Sequence, residues 1–334
     1  MSLMSLPKAE LHLHIEGTME PELVFELAAR NRVELPFSDI EDLRSRYVFA
    51  DLQSFLDLYY AAMDVLRTSE DFTDLARAYL ARAYAQGVRH VEMFFDPQPH
   101  LARGLPMEAV VDGLRAALDE AEQAGRMTGG LILCFLRDRG PEEAASVLKA
   151  ASSRVGSLIG VGLDSAEVGY PPAAFRKVYD TARDLGLRTV AHAGEEGPPS
   201  YVWEAIDVLG VDRIDHGIRS MEDPDLIRRL RQDRIPLTVC PLSNVRLGAV
   251  EHLSLHPLPQ MLAENLVVTV NSDDPAYFGG YIGENYQACV AELGLDRPEL
   301  IRLAQNSVNA SFAAAGRKAD LLGEIDKWTQ DHRT

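Results

Sequence analysis

Short runs of apolar and β-branched residues recur along the chain, and between them lie stretches in which apolar residues repeat every three or four positions. The first pattern is typical of buried strands and the second of amphipathic helices. Eight strands are predicted, at residues 9–14, 88–95, 130–136, 159–163, 189–193, 213–216, 237–240 and 267–271. The clearest helices between them are predicted at residues 108–124, 173–185, 200–209, 223–232 and 258–264.

This alternation predicts an α/β fold, a (β/α)8 TIM-type barrel. A doubly wound open sheet also alternates, but it places its ligand at one switch point, whereas the candidate chemistry of this chain follows several strands. We expect residues 1–334 to form a single barrel domain. Residues 19–87, after the first strand, predict a helical insertion or lid, and residues 299–328 predict C-terminal helices.

The composition is that of an ordinary globular protein, with 46% hydrophobic and 25% charged residues. A formal net charge of -18 disfavours nucleic acid and anionic membrane surfaces as partners, because both would repel the chain. A small-molecule substrate fits better, and the oligomeric state stays open. The three cysteines are widely spaced, and no basic leader or long apolar run occurs, so the reducing cytoplasm is the expected location.

His12 and His14 stand two residues apart on the first predicted strand. Alternate strand residues face the same side, so both imidazoles point one way, as metal ligands would. Such a pair alone is equally compatible with one core histidine and one surface histidine. At the ends of the fifth, sixth and eighth strands, however, stand His192, His216, Asp273 and Asp274. The carboxyl ends of barrel strands converge on one face, so these groups are expected to form one site.

Nitrogen and oxygen donors without cysteine favour Zn²⁺, one ion per chain, with Fe²⁺, Mn²⁺ and Co²⁺ left open. Zinc lowers the pKa of bound water to about 7, which makes hydrolysis the expected chemistry. Glu195 follows His192 by three residues in a glycine-containing turn and is the candidate acid/base, the alternative being a solvated loop carboxylate. His216 is either a further ligand or a group that orients the water.

Five stretches occur in order along nearly the whole chain: PKAELHLHIEGT at residues 7–18, TVAHAGEEG at 189–197, RIDHG at 213–217, CPLSN at 240–244 and VNSDDP at 270–275. Together they resemble the adenosine/adenine deaminase family of the amidohydrolase superfamily. The resemblance implies a barrel with one zinc ion, bound by the residues that match His12, His14, His192 and Asp273. It also implies three roles: His216 as partner of the metal-bound hydroxide, Glu195 as proton donor to purine N1, and Asp274 as a contact of N7. Asp273 then counts as both ligand and catalytic residue.

Two positions depart from the adenosine deaminases that the chain resembles. Those enzymes carry a ribose-binding aspartate at the position of Glu16 and a glycine at the position of Glu167. Glu16 is one methylene longer and would intrude on the ribose space. Glu167 could accept the N9–H of free adenine, which a nucleoside lacks; the plainer interpretation is a surface loop residue. These two departures, with VGYPP at residues 168–172 and YFGG at residues 277–280, look like the adenine deaminase branch of the family. Ser165 is a further substrate-binding candidate.

The expected reaction is therefore adenine plus water giving hypoxanthine plus ammonia, a step of purine salvage. N6-substituted adenines are an alternative substrate, because only the pocket beside the exocyclic nitrogen would need to be larger. The residues that we expect to shape this pocket are Leu58, Leu66, Phe94 and Phe95. Adenosine is a further alternative. A purine-binding protein without catalysis is disfavoured, because Glu195, His216 and Asp273 are all present.

Overall fold

Eight parallel strands form the centre of the computed structural model, which describes residues 3–49 and 52–332. Within these residues the strands are β1 Lys8–Glu10, β2 Val88–Phe95, β3 Thr128–Leu136, β4 Leu158–Asp164, β5 Arg188–Ala193, β6 Arg213–His216, β7 Leu237–Val239 and β8 Val268–Val270. Each strand pairs in parallel with the next in sequence. Beyond the ends of β1 and β8, Leu13 bridges Asp273 and brings the two edges together. The predicted (β/α)8 barrel is confirmed.

Helices lie between and around the strands. They are α1 Pro21–Asn31, α2 Ile40–Ser45, α3 Leu52–Met63, α4 Ser69–Ala85, α5 Pro97–Ala102, α6 Met107–Gln123, α7 Pro141–Ala150, α8 Arg176–Asp184, α9 Pro199–Glu204, α10 Pro224–Asp233, α11 Pro241–Arg246, α12 Leu258–Ala263, α13 Pro275–Phe278, α14 Ile282–Leu293, α15 Arg297–Ala310 and α16 Ala315–Asp331. Short 3₁₀ turns join several of them, and the one at Glu16–Thr18 follows β1 directly. No helix of the described part of the chain is long and apolar enough to cross a membrane.

The first strand is shorter than its hydrophobic pattern predicts. The pattern covers residues 9–14, whereas regular pairing ends at Glu10. The backbone N–H of Leu11 donates to the side-chain oxygen of Asn271 at 2.9 Å, so a side chain replaces the next ladder bond. Pairing resumes at isolated bridges of Leu13 with Asp273 and of His14 with Phe94. The two histidines of this segment therefore sit on an extension of β1 that is held from both sides.

The segment between β1 and β2 contains helices α1 to α4. Of these, α4 packs on α6, where the Thr73 hydroxyl donates to the Gly113 carbonyl at 2.9 Å. A Cβ at Gly113 would lie 2.3 Å from the Ser69 carbonyl oxygen, so the two helices can approach this closely only because residue 113 is glycine. Helix α4 thus serves as the barrel helix that precedes β2, and α1 to α3 are additional to the barrel.

The C-terminal helices cover the place where β1 and β8 meet. The Ser307 hydroxyl of α15 accepts from the N–H of Ala9 at 3.0 Å, and the Asn306 amide donates to the Val268 carbonyl at 2.9 Å. In α16 the Trp328 indole donates to the Ser5 hydroxyl at 2.9 Å. The contacts of Ser307 and Asn306 satisfy backbone groups of β1 and β8 that would otherwise be left unpaired.

Candidate active site

Four side chains from three strands converge at the carboxyl end of the barrel. They are His12 and His14 after β1, His192 on β5 and Asp273 after β8, and their donor atoms all lie within 4.8 Å of one another. Asp273 Oδ1 is 3.3 Å from His12 Nε2 and 3.5 Å from His14 Nε2. The Nε2 atoms of His14 and His192 are 3.2 Å apart. The structure thus brings together the four residues that the sequence predicts as ligands.

The donor set suits a divalent metal ion. His12 Nε2 is buried and has no hydrogen-bond partner among the described residues, although it faces the centre of the cluster. Burial lowers the pKa of His14 to about 4 and that of His192 well below its usual value, so both imidazoles are neutral and able to donate lone pairs. Burial opposes ionisation of Asp273, but the adjacent His12 outweighs it and lowers the pKa of this carboxyl. Three imidazoles and one carboxylate form a typical nitrogen and oxygen ligand shell.

The outer nitrogens of these histidines face polar groups that fix the rings. His12 Nδ1 is 3.0 Å from the Thr238 hydroxyl, which donates to Asp215 at 2.8 Å. The other oxygen of Asp215 is 3.8 Å from His192 Nδ1, and Asp164 Oδ2 is 3.5 Å from His14 Nδ1. Such partners orient a ligand imidazole and increase its basicity.

The motifs of the sequence do not single out Thr238, Asp215 and Asp164 as parts of the site. Asp215 and Asp164 are polar residues in apolar strands and both are buried, which is the signal that could have singled them out.

His216 and Glu195 lie side by side next to the predicted ligands. His216 Nε2 is 3.5 Å from Glu195 Oε2 and 3.7 Å from Asp273 Oδ2. Burial and the adjacent Asp273 raise the pKa of Glu195, which favours a carboxyl group that holds a proton. Burial lowers the pKa of His216. A carboxyl group that holds a proton and the ionised Asp273, both within 3.7 Å of His216 Nε2, form an arrangement that can deliver one proton and accept another.

Glu167 has a different environment from the one predicted. Its Oε1 accepts from the backbone N–H of Gly194 at 2.7 Å, and its Oε2 accepts from those of Glu195, Glu196 and Gly197 at 3.1, 2.9 and 2.8 Å. The carboxylate does not line the cavity, and a Cβ at Gly197 would lie 2.5 Å from it. Four N–H donors occupy the acceptor sites that the predicted contact with adenine N9–H requires. Glu167 instead holds the loop that carries Glu195.

Glu16 also lies behind the cavity rather than in its wall. It is fully buried, and its Oε1 accepts from His100 Nε2 at 3.0 Å and from the backbone N–H of Asp96 at 3.2 Å. Glu16 is therefore not placed where the predicted direct conflict with a ribose would occur.

Asp274 and Ser165 line the cavity, in agreement with their predicted position. Asp274 packs against the turn that follows β1, where a Cβ at Gly17 would come within 1.9 Å of its Oδ1. Ser165, Asp273 and His216 have φ angles of 68°, 66° and 61°, a left-handed conformation that is uncommon for residues with a side chain. Backbone strain of this kind clusters at functional sites.

The cavity opens beside the four predicted ligands. Five carboxyl groups face it, from Asp96, Asp164, Glu195, Asp273 and Asp274. Its apolar wall comes from one face of α3, through Phe55, Leu56, Tyr59 and Tyr60, and the Tyr60 hydroxyl is 3.4 Å from that of Ser165. The residues predicted to shape the pocket, Leu58, Leu66, Phe94 and Phe95, do not line it. The ring of Phe94 packs instead against His12 and His14, with centroids 5.1 Å apart in each case.

Comparisons with known proteins agree with this architecture. Residues 7–328 match the family model described as adenosine deaminase. The chain is 63% identical to a protein named adenine deaminase from Streptomyces coelicolor, over 98% of this chain and 97% of that protein. The crystal structure of adenine deaminase from Arthrobacter aurescens is 56% identical, covers 97% of this chain and 99% of its own, and superposes with a TM-score of 0.95.

A more distant structure carries a metal ion. It is an amidohydrolase from Burkholderia ambifaria solved with bound zinc, 27% identical over 98% of this chain and 93% of its own, with a TM-score of 0.90. The resemblance drawn from the five sequence stretches is confirmed by the family match across nearly the whole chain. The chain belongs to the adenosine deaminase family.

Proposed function

We propose that this protein is a zinc-dependent adenine deaminase, which converts adenine and water to hypoxanthine and ammonia. The observation that carries the proposal is the meeting, at one cavity, of the donor set with Glu195, His216 and Asp274. The names of the Streptomyces and Arthrobacter relatives support adenine as substrate. The donor chemistry and the zinc of the Burkholderia amidohydrolase support zinc as the metal.

His12, His14, His192 and Asp273 would hold the ion. A bound zinc ion supplies a water molecule of lowered pKa and thus a nucleophile at neutral pH. The remaining steps belong to the protein. Glu195 donates a proton to N1 of the purine, which makes C6 electrophilic as water adds there. His216 orients the attacking water through its Nε2, and Asp273 Oδ2, 3.7 Å from that nitrogen, accepts a proton from the water. That proton leaves with the C6 amino group as ammonia, and the remaining proton of the water returns to Glu195.

Binding groups hold the base so that C6 faces the predicted ligands. Asp274 contacts N7 and Glu195 contacts N1, the two ring nitrogens that flank C6. The Ser165 hydroxyl lines the same cavity and is placed to donate to the ring. The α3 face formed by Phe55, Tyr59 and Tyr60 covers the base and limits access of bulk water.

The proposed setting is the cytoplasm, with a small purine base as substrate. Cys134, Cys240 and Cys289 are free, buried thiols, which fits a reducing compartment.

The test is a substrate panel with purified protein: adenine, adenosine and N6-isopentenyladenine, followed by ultraviolet absorbance. Adenine is expected to have the largest kcat/KM. Faster turnover of adenosine or of the N6-substituted base would contradict the proposed substrate, and binding of adenine without turnover would identify a purine-binding protein.

Elemental analysis of the active protein tests the metal. About one equivalent of zinc is expected per chain. Less than half an equivalent of any divalent ion in fully active protein would show that activity does not require a bound metal ion.

A further inference from the structure

Asp96 is a buried carboxyl group in the cavity wall with no assigned role. It follows β2 directly, is 2% exposed, and its Oδ1 has no hydrogen-bond partner among the described residues although the residue lines the cavity. An unpaired buried carboxylate oxygen is costly unless a ligand supplies the missing donor. The side chain is therefore placed to receive an N–H group from the bound molecule.

The order of the strands indicates which N–H group of adenine faces Asp96. This inference rests on the proposed function. Around the purine ring the nitrogens follow in the order N1, N3, N9 and N7. If Glu195 after β5 contacts N1 and Asp274 after β8 contacts N7, the N3–N9 edge faces the opposite arc of the barrel, from β4 to β2. Ser165 after β4 then lies nearest N3, and Asp96 after β2 lies nearest N9.

A chain of hydrogen bonds positions Asp96 from behind. Arg103 Nη2 donates to His100 Nδ1 at 2.8 Å, so the hydrogen of the neutral ring is on Nε2, which donates to Glu16 at 3.0 Å. The same oxygen of Glu16 accepts the backbone N–H of Asp96 at 3.2 Å. Glu16 is thus a positioning residue, and its longer side chain reaches the start of the segment after β2.

The other carboxyl group in this arc faces a predicted metal ligand. Both oxygens of Asp164 also lack a hydrogen-bond partner among the described residues, but Oδ2 lies 3.5 Å from Nδ1 of His14, where it orients the ring. Glu167 is also excluded, because its oxygens accept four backbone N–H groups. Among the cavity-lining carboxyls, Asp96 is the one that the strand order places nearest N9.

We propose that Asp96 accepts the N9–H of adenine and is the residue by which the protein distinguishes a free base from an N9-substituted one. A nucleoside or 9-alkyl purine has no proton at N9, and its substituent would press on a buried acceptor left without a partner. Sites built to bind a substrate N–H reject analogues that lack it far more strongly than apolar pockets reject a missing methylene.

The test compares the wild-type protein with Asp96→Ala on two ligands, adenine and 9-methyladenine. We measure kcat/KM for adenine and the inhibition constant of each ligand. Asp96→Ala is expected to lower kcat/KM for adenine at least about 10-fold, the size of the loss when a buried N–H donor is left without its acceptor. Binding of 9-methyladenine is expected to stay within about 3-fold or to improve. Asp138→Ala, which removes an exposed aspartate after β3 at the same end of the barrel, is the matched control.

Equal losses for both ligands, or none for adenine, would overturn the assignment. Loss of an equivalent of divalent metal in Asp96→Ala would also overturn it, because Asp96 lies within reach of His14 and Asp164 in a second group of possible metal ligands. If the alanine variant does not fold, Asp96→Asn keeps the volume with a neutral acceptor and should lower the adenine to 9-methyladenine preference by at least about 5-fold. Binding of adenine and 9-methyladenine is also measured by calorimetry, which does not depend on turnover. A preference for adenine that is lost in the Asp96 variant would support the role of Asp96 even if no hypoxanthine forms, so failure of this inference and failure of the proposed function can be told apart.

Discussion

Asn244 donates its side-chain amide hydrogen to His216 Nδ1 across 3.2 Å. The direction of this bond is fixed from further along the chain. The backbone N–H of Leu258 donates to His256 Nδ1 at 3.1 Å, so the hydrogen of that ring is on Nε2, which donates to Asn244 Oδ1 at 3.1 Å. The amide nitrogen of Asn244 must then face His216. His216 consequently carries its hydrogen on Nε2, directed toward Glu195.

Replacing His256 should therefore disturb His216 without touching the substrate. In His256→Phe the Asn244 amide loses the donor that fixes it, and we expect kcat to fall about 10-fold while KM and metal content stay close to wild type. His256→Gln retains a donor and should recover part of the loss. The control is His252→Phe, because the side chain of His252 is 72% exposed. An unchanged kcat in His256→Phe would show that His216 does not depend on this chain of hydrogen bonds.

Glu167→Gln distinguishes loop support from substrate recognition. A glutamine amide offers one oxygen instead of two and directs its own N–H groups at the backbone donors of residues 194–197. We expect a loss of about 1–3 kcal/mol in the free energy of unfolding and a lower kcat, because Glu195 lies in this loop. The ratio of kcat/KM for adenine to that for adenosine should not change. A large decrease in this ratio would indicate that Glu167 contacts N9–H of adenine, as the sequence predicts.

Glu195→Gln tests the proton donor. Glutamine keeps the shape of the side chain but cannot deliver a proton to N1, so kcat is expected to fall by about 10² to 10⁴. Metal content, measured by elemental analysis, should be unchanged, because Glu195 is outside the four-residue donor set. Glu196→Gln changes the neighbouring carboxyl group of the same loop and is the matched control. Near wild-type turnover in Glu195→Gln would show that Glu195 is not the proton donor to N1.

The sequence predicts the barrel and the cluster of histidines and aspartates at its strand ends because both depend on local patterns, whereas the choice of the four ligands within that cluster is implied by the family resemblance. Buried parallel strands are continuous apolar runs, and His192, His216 and Asp273 stand where such runs end. The roles of Glu16 and Glu167 could not be predicted in this way. Whether a carboxylate faces substrate or four backbone N–H groups depends on how the β4 and β5 loops fold against each other, and these loops are 27 or more residues apart. The role of Asp96 could not be predicted for a related reason, since Asp-Pro after a strand is equally typical of a turn.

Lys8 provides a prediction about stability that is independent of the active site. It is fully buried at the start of β1, where its Nζ donates to the Gln86 carbonyl at 2.6 Å and lies 5.2 Å from the centroid of the Tyr286 ring. Burial lowers the pKa of Lys8 to about 7, partly opposed by Glu10. In the unfolded chain the amine keeps an ordinary pKa near 10.5.

Between these two pH values the unfolded state binds more protons than the folded state, so the contribution of Lys8 to stability rises with pH and is lost as pH falls toward 7. The slope is at most about 1.4 kcal/mol per pH unit. We therefore expect the free energy of unfolding of the wild type to increase between pH 7 and pH 9 relative to that of Lys8→Met, measured by urea denaturation at each pH. Lys149→Met, at an exposed position of α7, should show no such divergence. Parallel pH dependences of wild type and Lys8→Met would mean that the buried amine remains charged, held by Glu10 and the Gln86 carbonyl.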